Sequence, residues 1–398
     1  MSARCLIATC QTWSSTTVLP RLLVEAGATV TSLSPGPLGL SRDLSERLRL
    51  AREPDVAAAQ LLSLLGRRRF DWVIVADELL LRALVERRDS SAPADWLAVD
   101  PSDSRAVEFL LSKHAFVERA NSLGIPVPAS RFASSSAEAA LRANEVGYPV
   151  VVKGDRGFGG LEVRIARDET ELTRISRGFL ARYPRVLLQR FIAGTRVSAC
   201  ALYDKGQLNA YKIYRAECTY PDAHSASTVH EFFSHASIEE TLRKLGGATR
   251  FHGMAGVDFM HESETGALFA IEVNPRPTIG FGGSVANRRF FAPAIAGLLR
   301  HERVLQPAVY DGREPIQSYF PSHLFYLATT GEQRDPKSLA RLSACLREGR
   351  LRDWRLVLWE TARFCYDAVV ARVPSVRAFS APVYGDSRSR RQPSPLRR

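Results

Sequence analysis

At 398 residues the chain is long enough for two or three domains with packed cores. Its hydrophobic fraction of 45% and charged fraction of 24% are ordinary for a globular protein, which excludes a fibrous or low-complexity chain. A formal net charge of +12 suits anionic ligands such as nucleotides, and equally nucleic acid or a membrane surface. No zinc finger, RNA-recognition signature or basic zipper accompanies that charge, so no specific nucleic-acid partner is expected. No apolar run approaches the roughly 20 residues needed to span a bilayer. The cysteines at 5, 10, 200, 218, 345 and 365 form no CxxC pair, which points to a reducing, cytoplasmic setting.

Arg4 to Cys10 reads as a buried strand rather than a secretory signal, because only a short apolar run follows the arginine. A helix over Thr16–Ala26, stopped by Gly27, and a strand over Ala28–Leu33 complete a β-α-β opening with an expected parallel sheet. The loop between, Gln11 to Ser15, lacks the glycines of a dinucleotide fingerprint. Phe70–Ala76 reads as a further strand and Asp77-Glu78 as a helix start, giving an open α/β domain over residues 1–105. Asp103 is placed to cap a helix that runs through Lys113 to Ser122 and stops at Gly124. After an extended Ile125–Pro128 linker and a helix over Ser136–Glu145, a strand at Val150–Val152 delivers Lys153.

Directly after Lys153 comes Gly154-Asp155-Arg156-Gly157-Phe158-Gly159-Gly160, returning as a strand over Leu161–Ala166. A P-loop has its lysine after the glycines, and a protein kinase has its glycine loop before the lysine strand. The order here suits a flap that covers phosphates with backbone N–H groups; the plainer alternative is a glycine-rich hairpin beside a surface lysine. Asp168–Arg182 reads as a helix, and Val186–Ile192 as a strand that Gly194 ends. Val197–Asp204 and Gln207–Ala216 read as a hairpin about Asp204-Lys205-Gly206. Thr219–Ser237 is polar, with His224, His230 and His235 in no zinc spacing, and reads as a mobile active-site loop. Arg215, at the edge of that loop, is expected to help bind an anionic substrate group, the alternative being an exposed arginine beside a loop.

Ile238–Leu245 reads as a helix leading to a second hairpin, Met254–His261 with Ala267–Asn274, turning at Glu264-Thr265-Gly266. Counted outward from Thr265, Ser263 faces Ala267 and Asp258 faces Glu272; Asn274 shares the face of Glu272. Oxygens of Asp, Glu and Asn gathered on one face make a site for a hard cation such as magnesium holding a nucleotide phosphate. A solvated polar face is the alternative. Asn274-Pro275-Arg276-Pro277 ends the strand and holds Arg276 beside that face, where a guanidinium can meet a phosphate oxygen. Beyond residue 300, Ser338–Gly349 and Asp353–Val373 read as helices, and the basic tail at 386–398 as disordered.

Residues 103–283 resemble the ATP-grasp superfamily, in particular its carboxylate–amine ligases and the ATP-binding domain of carbamoyl-phosphate synthase. The resemblance rests on the order of Lys113, GIPVP, YPVVVK with its glycine flap, LLQRFIAG, VDF and IEVNPR. It implies an α/β chain in which a small parallel pre-grasp domain (1–105) precedes an α+β ATP-grasp region (106–300); the residues themselves read as a mainly helical segment over 301–385. It implies that Lys113 and Lys153 hold nucleotide phosphates under a flap of Gly157, Phe158, Gly159 and Gly160. Gln189, Arg190, Phe191 and Ile192 match the adenine hinge, Asp258, Glu272 and Asn274 the magnesium ligands, and Arg276 the arginine near the transferred phosphoryl group. Arg190 and Arg196 depart from the pattern, which often has acidic residues there, and they suggest a more anionic ligand.

The implied activity is ATP-dependent joining of a small carboxylate to an amine through an acyl phosphate, with Mg2+, or Mn2+ in its place. A phosphotransferase of the same fold and an ATP-binding regulator without turnover are the alternatives. A homo-oligomer is compatible with the family.

Overall fold

The computed structural model describes residues 2–87, 97–155, 162–219, 227–314, 316–319, 322–330 and 353–372. Its first layer is a parallel sheet of β1 (Arg4–Ala8), β2 (Thr29–Leu33), β3 (Glu46–Leu48) and β4 (Trp72–Val75), in the order β3-β2-β1-β4. Cys5 to Ala8 and all of β4 are buried, as strands covered on both faces must be. The helix expected over 16–26 is two pieces, Ser14–Thr17 and Leu19–Glu25. Pro20 explains the split: it lacks an N–H and sits in the first turn of the second piece. Asp77 caps the Glu78–Glu86 helix, accepting from Leu80 N at 2.8 Å, and also accepts from Thr9 Oγ1 and Cys10 N. That buried carboxylate ties the end of β1 to the end of β4.

The single helix expected from Asp103 to Ser122 is likewise two, Ser104–Leu111 and Lys113–Ser122. Ser112 breaks it. Its backbone is extended and its hydroxyl accepts from Ala115 N, so it caps the second helix and puts Lys113 at the first helical position.

A second sheet is antiparallel, in the order β5-β8-β6-β7: β5 (Ser130–Ala133), β6 (Val150–Lys153), β7 (Val163–Ala166) and β8 (Val186–Arg190). Val150, Val152, Val186 and Leu188 pack on the Ser136–Val146 and Glu169–Leu180 helices through Ala139, Ala143, Leu172 and Phe179. Side chains alternate along a strand, so Lys153, Leu187 and Gln189 turn to the other face.

The third and largest sheet runs β13-β12-β9-β10-β11-β15, with β14 paired to β10. Its strands are β9 (Gly194–Asp204), β10 (Gln207–Thr219), β11 (Ser227–Phe232), β12 (Gly253–Glu262), β13 (Leu268–Asn274), β14 (Ala308–Val309) and β15 (Ile316–Ser318). Gly194 starts β9 rather than ending β8. A Cβ there would lie 1.9 Å from the His261 carbonyl oxygen, so only glycine allows the strands to meet. Lys205 and Gly206, both with positive φ (46° and 94°), form the two-residue turn of the β9–β10 hairpin.

One face of this sheet packs Val197, Ala199, Val257 and Phe259 against Ile238, Leu242 and Leu245 of the Ser237–Thr249 helix. The other packs Cys200, Leu202 and Met254 against Trp72, Ile74 and the Val285–Leu299 helix.

Two expectations are corrected here. Ser227–Phe232 is strand β11, so His230 is not on a mobile loop: it is 1% exposed and stacked on Tyr214. The segment after residue 300 is not simply helical, because β14 and β15 complete the large sheet. The helix expected over 353–373 is found at Trp354–Arg372 and docks on the first domain: Thr17 Oγ1 donates to Glu360, Arg42 N to Asp353, and Arg363 to the Thr12 carbonyl. The helix expected over 338–349 and the 386–398 tail lie outside the described residues. Among the described residues no helix is long and apolar enough to cross a membrane.

Candidate active site

Asp258 does pair with Glu272, across β12 and β13, but not by the route that counting from the turn implies. Near the turn the register is one residue out: His261 faces Leu268, Met260 faces Phe269 and Phe259 faces Ala270. A bulge between Asp258 and Phe259 then leaves Ile271 unpaired, and the register beyond it sets Asp258 opposite Glu272, Val257 opposite Val273 and Gly256 opposite Asn274. Without the bulge Asp258 would meet Ile271. A one-residue slip moves a whole strand's side chains to the other face, so the bulge is what gathers the acidic set.

Asp258 accepts the Ser198 hydroxyl at 2.5 Å and the Asn274 amide nitrogen at 3.1 Å. Burial pushes its carboxyl above the usual range, Arg196 opposes that, and Glu272 adds to it. Lys113 reaches across from its helix to Glu272 Oε1 at 2.9 Å. Burial pulls the Lys113 ammonium down, but Glu272, Glu78 and Asp155 outweigh it and leave its pKa raised.

The start of the Lys113 helix is fixed to the exit of β6. Asp155 Oδ1 accepts from the Ser112 hydroxyl at 2.6 Å and from His114 N at 3.1 Å, and Lys113 N donates to the Asp155 carbonyl at 3.1 Å. Lys153, on β6, is 6% exposed. Burial pulls its pKa down to about 8; Glu272 and Asp258 resist this, and Lys113 adds to it. The two lysines and the two carboxylates therefore feel one another's charge. Gly154 N donates to the Glu162 carbonyl at 3.0 Å, closing the base of the expected flap, but Gly157, Phe158, Gly159 and Gly160 lie outside the described residues.

Arg276 lies at the end of β13, donating to Asn274 Oδ1 at 3.2 Å and to Glu78 Oε1 at 3.0 Å, with its guanidinium 4.5 Å from the Trp13 ring centroid. Burial raises the Glu78 pKa, Arg276 opposes the rise, and Glu272 adds to it. Glu78 and Trp13 are the residues that sequence reasoning missed. Trp13 follows β1 and Glu78 follows β4, the neighbouring parallel strands at which the chain reverses its direction of winding across the sheet. Ligands of open parallel sheets collect in the crevice outside the carboxyl ends of such strands, a signal that could have found both.

The hinge residues divide. Gln189 is buried and donates to Ser130 Oγ at 3.0 Å, and Ile192 is buried, whereas Phe191 is 36% exposed. Arg190 donates to Glu262 at 2.7 Å and lies over the Phe269 ring, tying the second sheet to the third. The acidic partner of Arg190 thus comes from β12.

Arg215 does not join this group. It pairs with Val197 on β9 and Glu231 on β11, in the row of Phe259, so its side chain leaves the sheet on the face opposite Asp258. There it stacks on Phe233, with Glu231 at 4.0 Å.

No group of three His, Cys, Asp or Glu that could hold a metal gathers among the described residues. The donor set is therefore two carboxylates and an amide oxygen, hard ligands that suit a divalent cation retaining water or phosphate oxygens. The raised Asp258 carboxyl is what a buried carboxylate short of positive charge shows, so the residues fit such an ion.

Residues 112–280 match the family model described as the carbamoyl-phosphate synthase L chain, ATP binding domain. The carbamoyl-phosphate synthase of Methanobrevibacter smithii is 25% identical over 213 residues, covering 52% of this chain and 56% of that protein. The chain thus spans about half the length, or less, of the curated relatives it matches. Among solved structures, the biotin carboxylase domain of Hydrogenobacter thermophilus 2-oxoglutarate carboxylase, seen with MgADP, ADP and bicarbonate, aligns with a TM-score of 0.60 at 16% identity, covering 77% of this chain and 72% of that one. N5-carboxyaminoimidazole synthetase from Staphylococcus aureus aligns with a TM-score of 0.59 at 15% identity, covering 79% and 80%. The three-sheet architecture and the match over 112–280 agree: residues 112–280 are similar to a carbamoyl-phosphate synthase-type ATP-binding domain, and the chain has the fold of the biotin carboxylase and carboxyaminoimidazole synthetase structures.

Proposed function

We propose that this chain is an ATP-dependent ligase that joins a small carboxylate to an amine. One observation carries the reading: Lys113, Lys153 and Arg276 converge on Asp258, Glu272 and Asn274 from three separate elements. In this reading a substrate carboxylate oxygen attacks the γ-phosphorus of ATP and ADP leaves. The amine nitrogen then attacks the acyl-phosphate carbon, phosphate leaves, and the nitrogen gives up its proton. Carboxylate oxygen is a poor leaving group and phosphate is a good one, which is why ATP is needed.

The protein's share is positioning and charge. Lys113 and Lys153 pair with the triphosphate, Arg276 steadies the transferred group, and Asp258, Glu272 and Asn274 would hold Mg2+. An ion held there would neutralise phosphate charge and make the γ-phosphorus more electrophilic. Arg190, engaged by Glu262, leaves the adenine contacts to backbone groups of the 189–192 stretch. The residues of the 157–160 flap are assigned to closing over the phosphates and excluding water from the acyl phosphate. Cysteines 5, 10, 200, 218 and 365 are free thiols, which fits a reducing cytoplasm.

The test is product analysis of Mg2+-dependent ADP release across paired carboxylates and amines. A ligase gives steady ADP release and an amide product only when both are present. A stable phosphorylated product from one acceptor alone would replace this reading with a phosphotransferase.

A further inference from the structure

The large sheet carries a second polar group on the face of Asp258, one row further along the strands. Arg196 lies two residues before Ser198 on β9 and opposite Met260, so it shares the face of Asp258. Ala216 on β10 is level with it and pairs with His230 on β11. The alanine is small and partly exposed, and it stands between the Arg196 and His230 positions on that face.

The imidazole is held with its donors ordered. Lys212, a donor only, gives a proton to Asn287 Oδ1 at 2.6 Å and another to Gln317. This turns the Asn287 amide nitrogen toward Tyr319 Oη, at 3.2 Å, and Tyr319 Oη lies 2.7 Å from His230 Nδ1. Read from the lysine, a Tyr319 hydroxyl that accepts from Asn287 and donates to Nδ1 would leave the proton of a neutral His230 on Nε2. Burial holds this imidazole well below the usual histidine range, with Lys212 and Arg196 acting the same way, so it stays neutral. Its Nε2 is buried and has no hydrogen-bond partner among the described residues, although the ring is packed face to face with Tyr214 at 3.5 Å. A buried donor without an acceptor is costly, and it is the kind of group that a ligand oxygen completes.

We propose that the Arg196–Ala216–His230 row binds the carboxylate substrate, His230 Nε2–H donating to one of its oxygens while Arg196 balances its charge. The inference rests on the ligase reading above and names where the acid is recognised.

The test uses the full chain with 15N-labelled histidine, Mg·ADP present throughout, and sodium acetate as the probe. His230 is assigned by difference from His230→Phe, which keeps a ring on Tyr214, and from His230→Gln should the first variant not fold. The expected result is a neutral Nε2–H tautomer whose Nε2 resonance moves with acetate and not with equal chloride. Arg196→Ala should then weaken the apparent acetate affinity about tenfold, the loss of one charge-assisted hydrogen bond. An Nδ1–H tautomer, a resonance indifferent to acetate, or an equal response to chloride overturns the subsite. Thermal stabilisation by Mg·ATP, recorded on the same samples, separates the two levels. If it persists while the acetate response fails, only the subsite falls; if it is missing, the ligase reading falls and takes the subsite with it.

Discussion

Across the large sheet, Asp258, Ser198 and Tyr214 stand in one row and Phe259, Val197 and Arg215 in the next. One residue of chain separates the rows, yet the first faces the side of Lys153 and Glu272 and the second faces an apolar core covered by a helix. The contrast shows that strand parity decides which charges work together here. Arg215 is close in sequence to Lys212 and Tyr214 and sits on the wrong face to join them. Glu272 is remote from Asp258 in sequence and sits opposite it only because the hairpin is bulged.

The largest effect should come from breaking the first row. In the wild type, Mg·ATP at a hundredfold excess over its Kd should stabilise the fold by about 2.7 kcal/mol. ATP without a divalent ion should stabilise much less, because its phosphates meet Asp258 and Glu272 uncompensated. Glu272→Gln keeps the side-chain size, removes one of the two facing charges, and should abolish most of the difference between the two conditions. Thermal melting of both proteins with ATP, with and without Mg2+, checks this. Equal ATP stabilisation with and without Mg2+ in the wild type would mean that the acidic face is only a polar surface.

Next in size is Lys153→Ala, which removes a charge-assisted contact to phosphate worth about 1.5–3 kcal/mol and should weaken ATP accordingly. The same change removes a buried cation, so the nucleotide-free protein should not lose stability through charge. A titration calorimetry series on folded protein reads the first effect and a denaturant melt the second. Unchanged ATP affinity would remove Lys153 from the site.

Arg215→Ala sharpens the contrast from the other side. It should leave Mg·ATP affinity within about twofold of wild type, since its side chain is on the opposite face. Its cost should be structural: a half-exposed cation–π contact with Phe233 and a long pair with Glu231, together about 1 kcal/mol. A tenfold loss of nucleotide affinity would show that the two faces communicate.

The acidic group was legible because Asp258, Glu272 and Asn274 share parity in a hairpin whose turn is marked by glycine. The bulge was not legible: nothing in Phe269, Ala270 or Ile271 announces an extra residue, and turn counting reached the right pair with the wrong intermediate register. The break at Ser112 was readable as a cap inside an otherwise helical pattern, and it decides the direction of Lys113. Glu78 and Trp13 were hidden by sequence distance from Arg276, although both follow strands of the parallel opening that the sequence did show. His230 was misplaced because a polar run with three histidines looks like a loop, while β11 buries that residue between two tyrosines.

The smallest effect belongs to the Lys153 proton. Its pKa of about 8, lowered chiefly by burial, means that above pH 8 the nucleotide-free protein holds this lysine mostly neutral. The unfolded chain keeps it protonated up to about 10.4. Between those values the unfolded state binds the extra proton, so this group makes the nucleotide-free fold more stable as pH rises from 8 toward 10. A bound triphosphate reverses the balance, because its negative charge favours the ammonium. ATP binding at pH 9 should therefore take up most of one proton, and at pH 7, where the lysine is already charged, much less. Calorimetry in buffers of different ionisation enthalpy counts that proton directly, and Lys153→Ala should remove the pH 9 uptake. Uptake that persists in Lys153→Ala would mean the titrating group lies elsewhere and that Lys153 does not meet the phosphates.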